Sequence, residues 1–313
     1  MTGKGNEPQP AGAPPRRLRF LNGGFFNPRL RRILALAGHE LRPGLPGEGE
    51  GVVVWGRAPT AYRGEWAAAR AGAPLVRVED AVLRALRPGR QGDAPLGLMI
   101  DPLGVHFDAS APSALERILA THPLDDSNLL LRARDGMARL RMSDISKYNI
   151  HDPDLPPPVP GYVLLIDQTR DDASIRHAGA SAATFPAMLA AAVEAHPTQR
   201  ILIKTHPETR LGLRGGHFDQ LTLPPNVDRL TTAVSPWRLL EGAIAVYTVS
   251  SQMGFEAILA GHRPRVFGQP FYAGWGLTLD ESPIPRRHRI LTRAQLVAGA
   301  MLLAPTWFDP CRD

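Results

Sequence analysis

Residues 247–276, YTVSSQMGFEAILAGHRPRVFGQPFYAGWG, carry the reading that decides the fold. An apolar run closes at Val249, Ser250 and Ser251 turn the chain, and MGFEAILA reads as a short helix that Gly261 stops. Residues 265–267 then read as a second short strand ahead of a loop of glycines and aromatics. A strand that passes through two serines into a helix brings hydroxyls and unpaired backbone N–H groups to the positive end of the helix dipole, a seat for phosphate.

Upstream the alternation continues. Residues 162–167 (YVLLID) and 200–204 (RILIK) read as buried strands, separated by the loop QTRDDAS and the amphipathic helix FPAMLAAAVEAHP. Strands are also expected at 227–230 and 243–249, with a helix at 236–241 between them. If this sheet is parallel, the loops 168–174, 205–208 and 250–252 leave the same edge, so polar groups far apart in sequence converge. Lys204, His206, Ser250 and Ser251 then form a phosphate pocket, Gln168 opens the first loop, and Glu256 is placed to accept from ribose hydroxyls. The structural alternatives are a His-Pro turn for His206, a plain helix cap for Ser250 and a surface ion pair for Glu256.

Asp171 and Asp172 suggest a metal site, but two adjacent loop side chains cannot supply the several oxygen ligands that magnesium requires. One of them is instead suited to act as a nucleophile or to stabilise a cationic sugar transition state, with Arg170 placed to pair with its charge. Which of the two points inward is left open.

The first half is also α/β. GVVVWG (51–56), PLVRVED (74–80) and PLGLMID (95–101) read as strands, TAYRGEWAAARAG as a helix and GVHFD as a short extended piece. Ser113 and Glu116 have the spacing of a capping box, and a later helix is expected to end near 146–149. A parallel sheet would put Trp55, Glu79, Asp80 and Asp101 at strand carboxyl ends, with Glu79 and Asp80 the candidate bases for an incoming hydroxyl. The proline-rich run DPDLPPPVPG (152–161) cannot be helix or central strand and marks the domain junction. This divides the chain into an unfolded start (1–15), two α/β domains (16–155 and 156–290) and an apolar C-terminal helix with its tail (291–313). That helix is capped by Thr292 and expected to cross back over the cleft.

With 313 residues, 43% of them hydrophobic, the chain can bury two cores. Its net charge of +6 suits an anionic partner, and the dispersal of its arginines argues against nucleic acid. Cys311 is the only cysteine, so no intrachain disulfide forms and a reducing compartment is expected. The first twenty residues lack the apolar run of a secretory signal and no window approaches eighteen uninterrupted apolar residues, so a protein that is cytoplasmic, or attached to a membrane from outside, is expected. Arg29, Arg31 and Arg32 beside Leu30, Ile33 and Leu34 suit either anionic lipid headgroups or a solvated helix face. No Walker A, G-x-G-x-x-G, H-E-x-x-H or zinc-spaced cysteine pattern is present.

The blocks VRVEDAVLRAL, PLGLMIDPLGVHFDASAPSALERIL, SKYN, VLLIDQTRDDASI, IKTHPE, VYTVSSQMGFEAILAG and FGQPFYAGWGLT together resemble the capsular polysaccharide Kdo transferases of the KpsC or LipA type. The resemblance runs from about residue 55 to 309. It implies a GT-B-like fold, two Rossmann-like domains with parallel sheets facing a cleft, the first on the acceptor side and the second binding the nucleotide-sugar. It also implies retaining transfer of Kdo from a CMP-Kdo donor to a lyso-phosphatidylglycerol-linked Kdo glycolipid acceptor, without a metal or other cofactor. The protein would work peripheral to the anionic inner membrane, beside capsule assembly proteins. By the same resemblance Asp172 is the catalytic aspartate, Lys204, His206, Ser250 and Ser251 bind CMP, Glu256 is the nucleotide-side glutamate, and Glu79 and Asp80 are the acceptor-side acidic pair. The family's usual EDGFLRS reads EDAVLRA here. Transfer of another sugar on the same fold, and a non-catalytic glycolipid-binding export component, are the alternatives.

Overall fold

The protein is described here by a computed structural model covering residues 15–312; the start expected to be unfolded lies, apart from Pro15, outside the described residues. In the first half β1 (Arg17–Phe20), α1 (Pro28–Leu36), β2 (Glu40–Pro43), β3 (Gly51–Trp55), α2 (Tyr62–Ala71), β4 (Leu75–Asp80), β5 (Gly97–Asp101), α3 (Ala114–Thr121) and α4 (Ser127–Met142) follow in order. In the second come β6 (Tyr162–Ile166), α5 (Ala173–His177), α6 (Thr184–Ala195), β7 (Ile201–Lys204), α7 (Pro207–Arg210), β8 (Val227–Leu230), α8 (Pro236–Gly242), β9 (Ala243–Thr248), α9 (Met253–Ala260), β10 (Arg265–Val266), β11 (Leu279–Asp280), α10 (Arg293–Val297) and β12 (Pro305–Trp307).

The strands form two six-stranded sheets, ordered β12-β5-β4-β3-β1-β2 and β11-β10-β9-β6-β7-β8. The second is parallel throughout. Its centre, β6, is buried at every position, as an uninterrupted YVLLI run requires when helices cover both faces. α9 spans the residues read as helix, and Gly261 closes it at φ +108°, a left-handed conformation glycine adopts without a Cβ penalty. The architecture is the expected α/β, GT-B-like pair of Rossmann-like halves.

Several local expectations change. β5 runs antiparallel to β4, so Asp101 lies at the opposite sheet edge from Glu79 and Asp80. Its carboxylate accepts from the amides of Leu103, Gly104 and Ala114, making it a turn and helix cap. GVHFD is a turn closed by Asp108 N–H donating to Val105 O (2.9 Å). Ser113 caps α3, but the Glu116 side chain turns to Arg286 and Arg287, so only half of that capping box forms. α4 stops at Met142, which leaves 143–149 irregular. The C-terminal helix is likewise shorter than its apolar run. α10 begins with a capping box at Thr292, passes into a π-helical turn at Ala298–Leu303, and Pro305, lacking an N–H, starts β12. β12 pairs antiparallel with β5, which carries the chain end back to the first sheet.

Leu30, Ile33 and Leu34 face the core, and the Arg29 guanidinium stacks 3.7 Å from the centroid of the Phe308 ring. The apolar side of α1 is therefore buried and does not face lipid, while Arg31 and Arg32 remain exposed. Between the halves, Leu115 and Leu119 of α3 share one apolar cluster with Phe255, Trp275 and Leu296. Glu116 accepts from Arg286 Nε (2.5 Å) and Arg287 Nε (2.9 Å), fastening the two halves behind the cleft.

Candidate active site

The carboxyl edges of the two sheets meet at a cavity of about 390 Å³. Glu79, Asp80, Gln168, Asp172, Lys204, His206, Ser250, Ser251 and Glu256 all line it. Arg170 does not.

On the second-half side, parallel β6, β7 and β9 deliver three loops to this edge. Asp171 adopts φ +60° and lies outside the cavity lining, whereas Asp172 caps α5, accepts from Ser174 N–H (2.9 Å) and faces the cavity. The charge pairing expected of Arg170 does not form: its Nε donates to Gly216 O (2.9 Å) and its own N–H to Gly215 O (2.8 Å). These bonds tie the aspartate loop to the glycine loop.

Gln168 and Ser250 bind each other, Gln168 Oε1 accepting from Ser250 N–H (2.9 Å) and Gln168 Nε2 donating to Ser250 Oγ (3.1 Å). That pair locks the end of β6 to the end of β9, so the Ser250 amide is already engaged. The Ser251 N–H donates to Thr248 Oγ1 (3.3 Å), and Ser251 Oγ accepts from Met253 N–H (3.3 Å). His206 makes the His-Pro turn at the start of α7 and also lines the cavity. Its Nδ1 caps α7 by accepting from Glu208 N–H (3.1 Å), so Nε2 carries the ring proton. Burial, with Lys204 and Lys147 nearby, pushes its pKa down to about 3, which makes it a neutral N–H donor lining the cavity. Burial likewise lowers Lys204 to about 8, opposed by Glu256.

On the first-half side, Glu79 accepts from the Asp80 amide (3.1 Å), and burial together with the neighbouring Asp80 charge raises its pKa above the usual carboxylate range. Gly56 lies against this carboxyl; a Cβ there would come within 2.3 Å of Glu79 Oε2. Asp80 Oδ2 is paired with Arg84 (2.7 Å), while its buried Oδ1 has no partner among the described residues. Glu256 accepts through Oε1 from Ser146 Oγ (2.6 Å) and Lys147 N–H (3.2 Å), pinning the irregular segment after α4 to α9.

Three cavity residues were not singled out from the sequence. Lys147 follows that pinned serine, and the neighbouring Tyr148, Asp80, Asp172 and Glu79 raise its pKa to about 12 against burial. His106 projects from the unexpected turn, its buried Nδ1 without a partner among the described residues and its pKa lowered by burial to about 4. Asp167 ends β6, accepts from Gln168 N–H (2.8 Å) and His217 N–H (3.1 Å), and is raised by burial to about 6. Only its place at a strand end marked it. Among the described residues no group of three or more His, Cys, Asp or Glu side chains is arranged to hold a metal ion.

Two Rossmann-like halves closing on a polar cavity at their sheet edges define a GT-B-type protein. The capsule polysaccharide biosynthesis protein profile matches residues 137–306, and the chain belongs to that family, in its KpsC/LipA branch. It is 36% identical to the capsule polysaccharide modification protein LipA of Neisseria meningitidis serogroup B over 276 residues, 84% of this chain and 39% of that one. The lipopolysaccharide-processing protein LpsZ of Rhizobium meliloti is 35% identical over 77% of this chain and 56% of its own. The chain thus spans about two fifths of LipA. Among solved structures, the beta Kdo 2,4 transferase of Thermosulfurimonas dismutans KpsC superposes with a TM-score of 0.89 at 34% identity, covering 95% of this chain and 94% of the other. The beta Kdo 2,7 transferase of the same KpsC, at 24% identity and TM-score 0.67 over 95% and 93%, shares the fold.

Proposed function

We propose that the chain is a retaining glycosyltransferase that moves Kdo from CMP-Kdo to a lipid-linked Kdo acceptor in capsule biosynthesis. The observation that carries this reading is the meeting of Asp172, Lys204, His206 and Ser251, from three loops far apart in sequence, in one cavity with Glu79 and Asp80. The likeness to a beta Kdo 2,4 transferase along nearly the whole chain supports the choice of sugar.

In this reading residues 156–290 hold the donor and 16–155 the acceptor. Lys204, the His206 Nε2–H and the Ser251 hydroxyl receive the phosphate, with the positive end of the α9 dipole behind them, and offset the charge that develops on it as the glycosidic bond breaks. Asp172 attacks the anomeric carbon; the bond to phosphate oxygen breaks, CMP leaves with the electron pair, and an ester joins the sugar to Asp172. The acceptor hydroxyl passes its proton to the Glu79–Asp80 pair and attacks the same carbon. The ester bond breaks with its electrons returning to Asp172, and two inversions give net retention. A lipid-linked acceptor places the reaction at the inner membrane's cytoplasmic face, with the protein peripheral to it; no helix among the described residues is long and apolar enough to cross a membrane.

The test is incubation with CMP-Kdo and a Kdo-terminated lipid acceptor. Acceptor-dependent CMP release, with a product one Kdo longer, is expected. CMP release no greater than without enzyme would overturn the assignment.

A further inference from the structure

Lys147 and Lys204 are both cations lining the cavity, and neither has an ion-pair partner within 4.0 Å among the described residues. They arrive from different directions. Lys204 ends β7, where the phosphate is placed above, whereas Lys147 comes from the segment after α4. The position of Lys147 is fixed by its own backbone: its N–H and the Ser146 hydroxyl both donate to Glu256 Oε1, at 3.2 and 2.6 Å. Its Nζ lies 5.4 Å from the centroid of the Tyr148 ring in the cavity wall, and its charge acts on Glu79, Asp172, His106 and His206, which line the same cavity. A desolvated cation held this way, against an aromatic ring but with no ion-pair partner among the described residues, is a seat for an anionic group of a ligand.

Two cations on separate elements suit a ligand with two separate anionic groups. In a nucleotide-activated sugar acid of the 2-keto type, the reacting carbon bears the phosphate ester and a carboxylate together. An attacking Asp172 then approaches a carbon that carries a second negative group, and the two carboxylates repel unless a cation lies beside both. Lys147 is the cation available for this, since it and Asp172 line the same cavity and their charges act on each other.

We propose that Lys147 binds the carboxylate of the donor sugar and so makes the cavity selective for nucleotide sugars whose anomeric carbon carries a carboxylate. This rests on the transferase reading above and adds to it the residue that recognises the sugar class. Lys204 recognises the nucleotide's phosphate, a group common to all such donors, and Lys147 recognises the group that only sugar acids have. Lys147 is a specificity-determining residue, and its loss shows in the donor sugar and not in the nucleotide.

The experiment compares wild type with Lys147→Met and Lys147→Gln, measuring KM for CMP-Kdo and the inhibition constant of CMP alone. Both variants are expected to raise KM for CMP-Kdo by roughly 100-fold while changing CMP inhibition less than about threefold, and Lys147→Arg recovers most of the loss. Unchanged CMP inhibition also reports that the variants are folded. An unchanged KM for CMP-Kdo, or a rise in the CMP inhibition constant equal to the rise in KM, overturns the proposal, since the lysine then acts on neither group or on the phosphate. Absence of acceptor-dependent CMP release by wild type would instead remove the transferase reading. A wild type that transfers Kdo beside variants with unchanged KM removes only the role of Lys147.

Discussion

At the scale of single residues, burial decides what each cavity group can do. Lys204 is held near pKa 8 because desolvation outweighs the pull of Glu256, so it loses its charge at a pH where an exposed lysine keeps it. CMP binding that depends on this ammonium should be constant between pH 7 and about 8. Above that the free enzyme must take up a proton to bind, and the dissociation constant should rise about tenfold per pH unit. Calorimetric titration from pH 7 to 9.5 checks this; Lys204→Arg should flatten the rise, and a wild-type constant indifferent to pH would contradict it. Lys204 and His206 were legible because a buried strand running into a polar loop is a local pattern. Lys147 and His106 were not. The first owes its place to Glu256, more than a hundred residues away, and the second to a turn where alternating residues read as an extended piece.

At the scale of elements, the loops at the sheet edges are held by side chains that bridge them. Glu256 lines the cavity and joins the segment after α4 to α9 through Oε1, a bridge not legible in the sequence, which places the residue on a helix without saying what lies opposite. Glu256→Ala would leave the Ser146 hydroxyl and the Lys147 amide without their acceptor, at an expected cost of ~1–3 kcal/mol. Amide hydrogen exchange at Lys147 should quicken markedly in this variant; protection equal to wild type would show that the segment is held by other contacts. Strand and helix positions followed well from apolar runs and from caps such as Gly261 and Thr292. Strand direction did not: the reversal of β5 and the return of residues 305–307 as β12 depend on pairing partners that no local pattern names.

At the scale of the whole molecule, the cavity exists because two halves are fastened together behind it. Arg287, whose side chain is 2% exposed, is paired with Glu116 of α3, and Arg286 shares that carboxylate. Glu116→Ala would leave a buried guanidinium uncompensated and should destabilise the protein by ~3–5 kcal/mol in urea unfolding. A loss below about 1 kcal/mol would mean that the shared apolar cluster holds the halves alone. The α/β class, the separate sheets and the convergence of the three loops could be read from the sequence, since parallel sheets send their loops to one edge. How the first half would face them could not, because Glu116 and its arginines are some 170 residues apart. The central claim, that this convergence builds a transferase site around Asp172, is tested most directly by mass spectrometry of the enzyme after brief exposure to CMP-Kdo without acceptor. The account predicts one sugar attached to the peptide containing Asp172 in wild type and none in Asp172→Asn; a sugar on another residue, or continued transfer by the Asn variant, would contradict it.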